Sequence, residues 1–272
     1  MLAPVVLRES AGVIAILKPA GLATQAPPGI PSVESWLRDR LHGGDRSGYI
    51  GVPHRLDRAV SGVLLMAATP RAARKLSRQF ERRQVAKTYL AIVSAPRHSE
   101  AVFMAVGSAS EWRDLIEKLP DQAISRVADP SSPTAREAVT IARRLPATHW
   151  ARRLPATHWA RLLPAPFDAM LMQLEPQTGR MHQLRLQAAV RGMPILGDEL
   201  YGGIPLTAGT DDNLRERPIM LHAWRIAYAD PDSDEPVTID APLPAHWPRH
   251  DSEPSEPAAG EPACQGDGSE PA

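Results

Sequence analysis

Cysteine is almost missing from this chain: Cys264 is the only one among 272 residues. No intramolecular disulfide can form, and a thiolate metal cluster is excluded. Cys264 also lies in a C-terminal stretch rich in Pro, Glu, Ser and Gly, a composition that predicts disorder and gives a catalytic thiol no pocket. Long apolar runs are missing as well. The longest, around residues 63–68 and 101–105, are strand-sized, well short of the roughly 18–20 residues of a membrane-spanning helix. The opening MLAPVVLRES lacks the charged flank and apolar stretch of a secretory signal, so a cytoplasmic protein is expected. Neither a Walker loop nor a dinucleotide fingerprint is present, so no nucleotide cofactor is indicated.

Net charge is also lacking, since 31 basic residues balance 31 acidic ones. The distribution says more than the sum. Residues 249–272 hold Asp251, Glu253, Glu256, Glu261, Asp267 and Glu270 against Arg249 alone, a net −5 that leaves +5 on residues 1–248. The chain is therefore read as one domain over 1–248, mildly basic and large enough for a sizeable core, with an acidic disordered tail over 249–272. Lysine is scarce: only Lys18, Lys75, Lys87 and Lys118 stand beside 27 arginines. Arginine suits bidentate phosphate contact and stacking on bases. Genomic base composition would equally favour Arg together with the abundant Ala, Gly and Pro.

Apolar and turn patterns give a coarse order of elements. Residues 13–17 read as a strand ending at the Lys18-Pro19-Ala20-Gly21 turn. Ser32 can cap a short helix through Trp36 and Leu37, a Gly-rich loop follows over 42–51, and residues 63–67 read as a buried strand. Thr69-Pro70 is a helix start, and Ala72, Leu76 and Phe80 recur at helical spacing over 71–83. A strand is expected over 89–93, a short helix around 112–119, strands over 138–142 and 169–174, and a helix or strand over 183–189. Residues 142–150 and 151–159 are identical copies of ARRLPATHW. Two copies are too few for a solenoid, so the repeat is read as a duplication lengthening a hairpin, which loops tolerate. Its Arg, His and Trp could also touch RNA.

Five segments stand in order: HRLDRAVSG (54–62), KTYLAIV (87–93), TGRMHQLRL (178–186), GMPILGDELYGG (192–203) and LHAW (221–224). Alone, the Asp of the first would pass for a turn residue. Together the segments resemble the RluA family of RNA pseudouridine synthases, from LKPAGL at Lys18 to APLP at 241–244.

That resemblance implies an α+β fold: a bent, mostly antiparallel mixed sheet flanked by helices, with a central cleft. It implies isomerisation of uridine to pseudouridine in structured RNA, tRNA or rRNA, with Asp57 as the essential catalytic residue. The reaction breaks the C1′–N1 bond, turns the uracil and rejoins it through C5; a carboxylate can assist by attack or by stabilising charge at the sugar. Substrate and product are isomers, so no cofactor and no metal is expected. Arg185 matches the arginine that pairs with the catalytic Asp, and Tyr89 the tyrosine that stacks on uracil and can take part in removing the C5 proton. Leu221 matches an apolar residue of the base pocket. Arg55 matches the arginine associated with extruding the target uridine, a step that costs a few kcal/mol. Arg71, Arg74, Lys75, Arg78 and Arg82 recur at three- and four-residue intervals; a plain solvated helix face would show the same pattern, but beside these motifs it reads as a stripe for RNA phosphates.

Two positions depart from the family pattern. Val60 and Met181 stand where threonines are usual, and each loses a hydroxyl bond worth about 0.5–1.5 kcal/mol if made; efficiency rather than reaction type is at stake. The short stretch before Lys18 leaves no room for the small RNA-binding domain of some relatives, so recognition is expected to rest on the catalytic domain. Family precedent and the absence of an obvious apolar patch imply a monomer. Two rivals remain: a non-catalytic RNA-binding protein or chaperone on the same scaffold, and a metal-dependent hydrolase using His54, His182, His222, Asp57 and Asp198. These histidines lack the short spacing of known ligand motifs and are read as structural hydrogen-bonding residues.

Overall fold

The computed structural model describes residues 3–43, 45, 47–96, 105–146, 167–206, 217–244 and 247. Among these residues, alternating and fully apolar stretches become ten strands of one sheet. In chain order these are β1 (Val5–Ser10), β2 (Val13–Lys18), β3 (Ser61–Ala67), β4 (Ala86–Pro96), β5 (Ala109–Lys118), β6 (Ser125–Val127), β7 (Arg136–Arg144), β8 (Phe167–Pro176), β9 (Leu221–Ala229) and β10 (Pro236–Asp240). Across the sheet the order is β1-β2-β3-β9-β4-β8-β7-β5-β6, with β10 also paired to β9. Neighbours are antiparallel except β3 and β9, which run parallel over Ser61↔His222 and Gly62↔Ala223. Gly62 is required at that approach: its φ is 123°, and a Cβ would run into the Ala223 backbone. With helices α1 (Val33–His42), α2 (Pro70–Glu81) and α3 (Gln183–Ala189), the class is α+β.

Strands β2 and β3 are buried on both faces, which explains their near-continuous apolar sequence. Ile14, Ile16, Leu64 and Met66 pack with Val33 and Leu37 of α1, while Val13, Ala15, Val63 and Leu65 pack with Ala72 and Leu76 of α2. Both helices begin as the sequence predicts. Ser32 and Ser35 form a reciprocal capping box on α1, and the Thr69 hydroxyl accepts from Ala72 N at 3.2 Å ahead of Pro70 on α2. Helix α2 stops at Glu81, short of the expected residue 83, because Arg83 takes a left-handed backbone (φ 58°).

The helix expected over 112–119 is a strand. Trp112 and Ile116, four apart, mimic helical spacing, but in β5 they share one face with Asp114 between them. Asp114 faces inward to bond Gln187 and Arg191, and this polar group on the buried face hid the two-residue period. Strands β7 and β8 are consecutive antiparallel neighbours, from Thr140↔Pro176 to Arg144↔Met172, which is the hairpin pairing expected around the repeat. The first copy supplies the end of β7; the rest of the repeat, from residue 147, and the acidic tail lie outside the described residues. Among the described residues no helix is long and apolar enough to cross a membrane.

Candidate active site

The segment 51–60, between α1 and β3, is held at many points. Gly51 bridges Ala67. The ring of His54 stacks on Phe80 with centroids 4.5 Å apart, and its Nε2 accepts from Leu65 N at 2.9 Å. Burial, aided by the nearby Lys87 charge, pushes the His54 pKa down to about 3, so this ring is neutral. The Thr24 hydroxyl donates to Leu56 O at 2.9 Å and accepts from Leu56 N at 3.1 Å. Lys18, wholly buried, donates to Leu22 O, Pro19 O and Arg58 O at 2.7, 3.0 and 3.2 Å. Burial lowers its pKa to about 7, with the Asp57 charge working in the other direction. Asp57 thus stands in a turn whose residues on both sides are pinned, and Val60 N closes that turn onto Asp57 O at 3.1 Å.

The Asp57 side chain is 32% exposed, enough to meet a substrate. It opens on a cleft of about 830 Å³ that Tyr89, Arg55, Leu221 and Arg185 also line. Arg185 Nη1 is 3.4 Å from Asp57 Oδ2, and His182 Nε2 is 3.7 Å from the same oxygen. Arg185 has a second and tighter partner. Its Nε and Nη2 donate to Asp198 Oδ2 and Oδ1, each at 2.7 Å, and both side chains are almost wholly buried. Burial alone would lower the Arg185 pKa; the bonds and charge of Asp198, with the Asp57 charge, more than offset it and hold the guanidinium above its ordinary value. The Tyr201 ring stacks 5.2 Å from the same guanidinium.

Sequence reasoning weighed Asp198 only as a conceivable metal ligand, and its place as the fork that fixes Arg185 was missed. The signal was present in GDELYGG. Gly203 N donates to Asp198 O at 2.8 Å, and a Cβ on Gly203 would strike Ile195 O, so the glycine lets this turn close around the carboxylate.

Helix α3 carries Arg185 on a polar seat. Gln187 accepts from Thr140 Oγ1 at 2.6 Å and donates to Asp114 at 2.8 Å and to Trp112 O and Ala138 O, both at 3.2 Å. Gln183 bridges Thr178 Oγ1, Thr140 Oγ1 and Val139 O. Tyr89 follows a register shift between β4 and β9 at Thr88/Tyr89, the kind of irregularity that re-aims a side chain. Burial and then the Asp57 charge raise its pKa, so the phenol is protonated. Leu221, 2% exposed, opens β9 beside it.

The structure divides the basic stripe of α2. None of Arg71, Arg74, Lys75, Arg78 and Arg82 lines the cleft. Arg71 sits 3.2 Å from Asp232; Lys75 sits 3.7 Å from Asp234 and also bonds Pro231 O, both on the turn between β9 and β10. Arg74, Arg78 and Arg82 are exposed, while Arg83 and Lys87 stand at the cleft. Val60 is buried in the apolar cluster of β4 and β9, and Met181 O accepts from Ser125 Oγ at 2.7 Å. The histidines weighed as ligands have other partners: His222 Nδ1 pairs with Ser61 Oγ at 2.8 Å, and His182 Nδ1 with the Tyr201 hydroxyl at 2.9 Å. Among the described residues no cluster of three His, Cys, Asp or Glu is placed to hold a metal.

Known proteins resemble this chain in sequence and in fold. The family model described as RNA pseudouridylate synthase matches residues 12–190. The chain is 33% identical over 247 residues to an uncharacterized RNA pseudouridine synthase of Zymomonas mobilis, covering 90% of this chain and 95% of that one. It is 30% identical over 254 residues to tRNA pseudouridine synthase C of Salmonella typhimurium, covering 89% and 86%. In fold it is similar to the solved human RNA pseudouridylate synthase domain containing 1, with TM-score 0.63 and 22% identity over 89% of this chain and 84% of that one.

Proposed function

Since the chain belongs to the RluA-type family of RNA pseudouridine synthases and isomerises uridine to pseudouridine in RNA, we propose that Asp57 is the carboxylate that carries the reaction. The observation behind this is the Asp57–Arg185 contact of 3.4 Å at a partly exposed point of the cleft, with Arg185 locked from behind by Asp198. A guanidinium that cannot turn away keeps the carboxylate aimed. Asp57 attacks C1′ or stabilises positive charge there while the C1′–N1 bond breaks; the uracil turns, C5 bonds to C1′ and displaces any attached Asp57 as free carboxylate, the C5 proton leaves to a base and N1 takes up a proton.

Tyr89 stacks on the uracil, and Leu221 closes the apolar side of its pocket. Burial and then the Asp57 charge keep the Tyr89 phenol protonated, so it meets the uracil as a neutral ring. Arg55, exposed at the rim, fills the stack that the flipped uridine vacates. Phosphates are met by Arg74, Arg78 and Arg82, with Arg83 and Lys87 nearer the cleft; Arg71 and Lys75 contribute less, because Asp232 and Asp234 already partner them.

Residues 1–248 form the catalytic domain and 249–272 an acidic extension. The protein acts as a cytoplasmic monomer without metal, on a transfer RNA as the name of the Salmonella relative states for that enzyme, with ribosomal RNA the other substrate to test. The test uses full-length protein and RNA carrying 5-tritiated uridine, since only isomerisation frees the C5 hydrogen. Asp57→Asn is expected to lower tritium release by about 10³-fold or more while leaving RNA retention on a filter near native. A near-native release rate removes Asp57 from the reaction.

A further inference from the structure

His182 opens α3 with φ 54° and ψ 21°, a left-handed backbone that a residue with a large side chain keeps only when its surroundings enforce it. The enforcement is visible. Ser125 Oγ donates to the carbonyl just before it, Met181 O, and Leu186 N donates to His182 O at 2.9 Å. The side chain, 11% exposed, points Nε2 at Asp57 Oδ2 and Nδ1 at the Tyr201 hydroxyl. Tyr201 meets the imidazole edge-on at 88°. Its oxygen accepts from Ser125 N at 2.9 Å, so the hydroxyl proton is available to another acceptor. His182 Nδ1, at 2.9 Å, is nearer than Ser125 O, at 3.3 Å. Donation to Nδ1 leaves a neutral imidazole with its proton on Nε2, the nitrogen that faces Asp57.

The geometry points to His182 as a positioning residue for Asp57, its Nε2–H holding Oδ2 of the carboxylate in a tautomer fixed by Tyr201. This rests on the reading of Asp57 given above. Arg185 and His182 both approach Oδ2, which leaves Oδ1 as the oxygen to meet C1′. An oxygen already accepting two donors is the weaker nucleophile, so the pair selects which lone pairs face the sugar. The 3.7 Å separation closes to a hydrogen bond with a small turn of the Asp57 side chain; catalytic contacts commonly shorten in this way when substrate binds. Asp57 from the segment before β3 and Tyr201 from the turn after α3 face His182; the Arg185–Asp198 pair adjoins them through Asp57 and the Tyr201 ring, and Ser125 of β6 is the uncharged anchor.

The test compares His182→Ala, His182→Gln and His182→Asn in the full-length protein, using tritium release from bulk transfer RNA, with Asp57→Asn alongside. The Gln amide reaches the place of Nε2–H, whereas that of Asn falls short. His182→Ala is expected to lower kcat about 10- to 100-fold, as for loss of one orienting contact, with KM within about threefold of native. His182→Gln should restore kcat to within about fivefold of native, and His182→Asn should not. Because the hydrogen bond and not an imidazolium charge does the positioning, native and Gln proteins should share one pH profile between about pH 6 and 9.

Equal rates for the Gln and Asn variants overturn the inference, as does a native kcat in His182→Ala. A native profile that loses activity as pH rises through the histidine range, beside a flat Gln profile, overturns it in favour of a cationic role. Should His182→Ala fail to give a cooperative melt, the Gln and Asn pair decides alone. An inactive Asp57→Asn beside indifferent His182 variants sinks this inference only; an active Asp57→Asn sinks the reading beneath it.

Discussion

Asp57 and Arg185 meet at 3.4 Å, yet the two halves of the sheet that bring them there are built differently. The Asp57 half, with β1, β2, β3, α1 and α2, is packed with hydrocarbon on both faces. The Arg185 half, with β5, β6, β7 and α3, lends Trp112, Ala142, Leu184 and Ala188 to the apolar cluster it shares with β4, β8 and β9, and has only a small cluster of its own, Ile116, Ala138 and Leu186. To that it adds a buried polar network of Gln183, Gln187, Thr140 and Thr178 with the Asp114–Arg191 pair, which the Asp57 half does not match in its helix packing. Hydrocarbon packing is non-directional and tolerates small shifts, whereas a satisfied amide network has few alternative geometries of equal energy. The half that must hold a guanidinium in one orientation is the half whose helix is seated on directional bonds as well as hydrocarbon.

Substitution can break this contrast, and the largest effect should come from the joint between the halves. Asp198→Ala leaves Arg185 buried beside a partner that touches it with one nitrogen only. Chemical denaturation should show a loss of about 3–5 kcal/mol, together with a fall in kcat of at least about 100-fold. A stable and active Asp198→Ala protein removes the fork from the account. Next comes a matched pair, one change in each half. Leu76→Ala, at a wholly buried position of α2, should destabilise by about 2–5 kcal/mol yet leave kcat near native below its melting point. Gln187→Leu should destabilise less, about 1–3 kcal/mol, but lower kcat about tenfold, because α3 and Arg185 shift with it. If kcat tracks stability equally in both variants, the contrast between the halves fails.

The smallest effect concerns His54, on the Asp57 side. Its folded pKa of about 3 lies below the ordinary value of 6.5. Between those values the unfolded chain binds a proton that the folded chain refuses, so stability falls as pH drops from about 6.5 toward 3 and is unaffected above. In His54→Gln, where the amide oxygen still accepts from Leu65 N, the acid-side decline in melting temperature should be shallower. An unchanged slope would assign that decline to other groups.

Much of the Asp57 half was legible in the sequence, because its information is local. The Thr69-Pro70 start, the Ser32 cap and the unbroken apolar run of β3 each declare an element within a few residues. In the Arg185 half the decisive contacts are distant in sequence. Asp114 occupies an inward position that looks misplaced until Gln187 and Arg191 arrive, so β5 passed for a helix. The partition of the α2 stripe depends on Asp232 and Asp234, which no helical periodicity could reveal. Asp57, Tyr89 and Arg185 were found through motif order, and the structure brings all three to one cleft. Asp198 and His182 lay in the same motifs, but only coordinates show the first fixing Arg185 and the second facing Asp57.

The parallel contact of β3 with β9 involves two residue pairs, against six between β2 and β3 and eight between β4 and β8. This is the narrowest join between neighbouring strands of the sheet, and it is buried. Gly62 lets the backbones touch there, and the Ser61–His222 bond is the rivet. Asp57 lies just upstream of one side of this seam, and Leu221 directly precedes the other. A nucleoside lodged between them would rest on both leaves and fasten them, so a bound RNA should slow amide exchange on β3 and β9 beyond its own footprint.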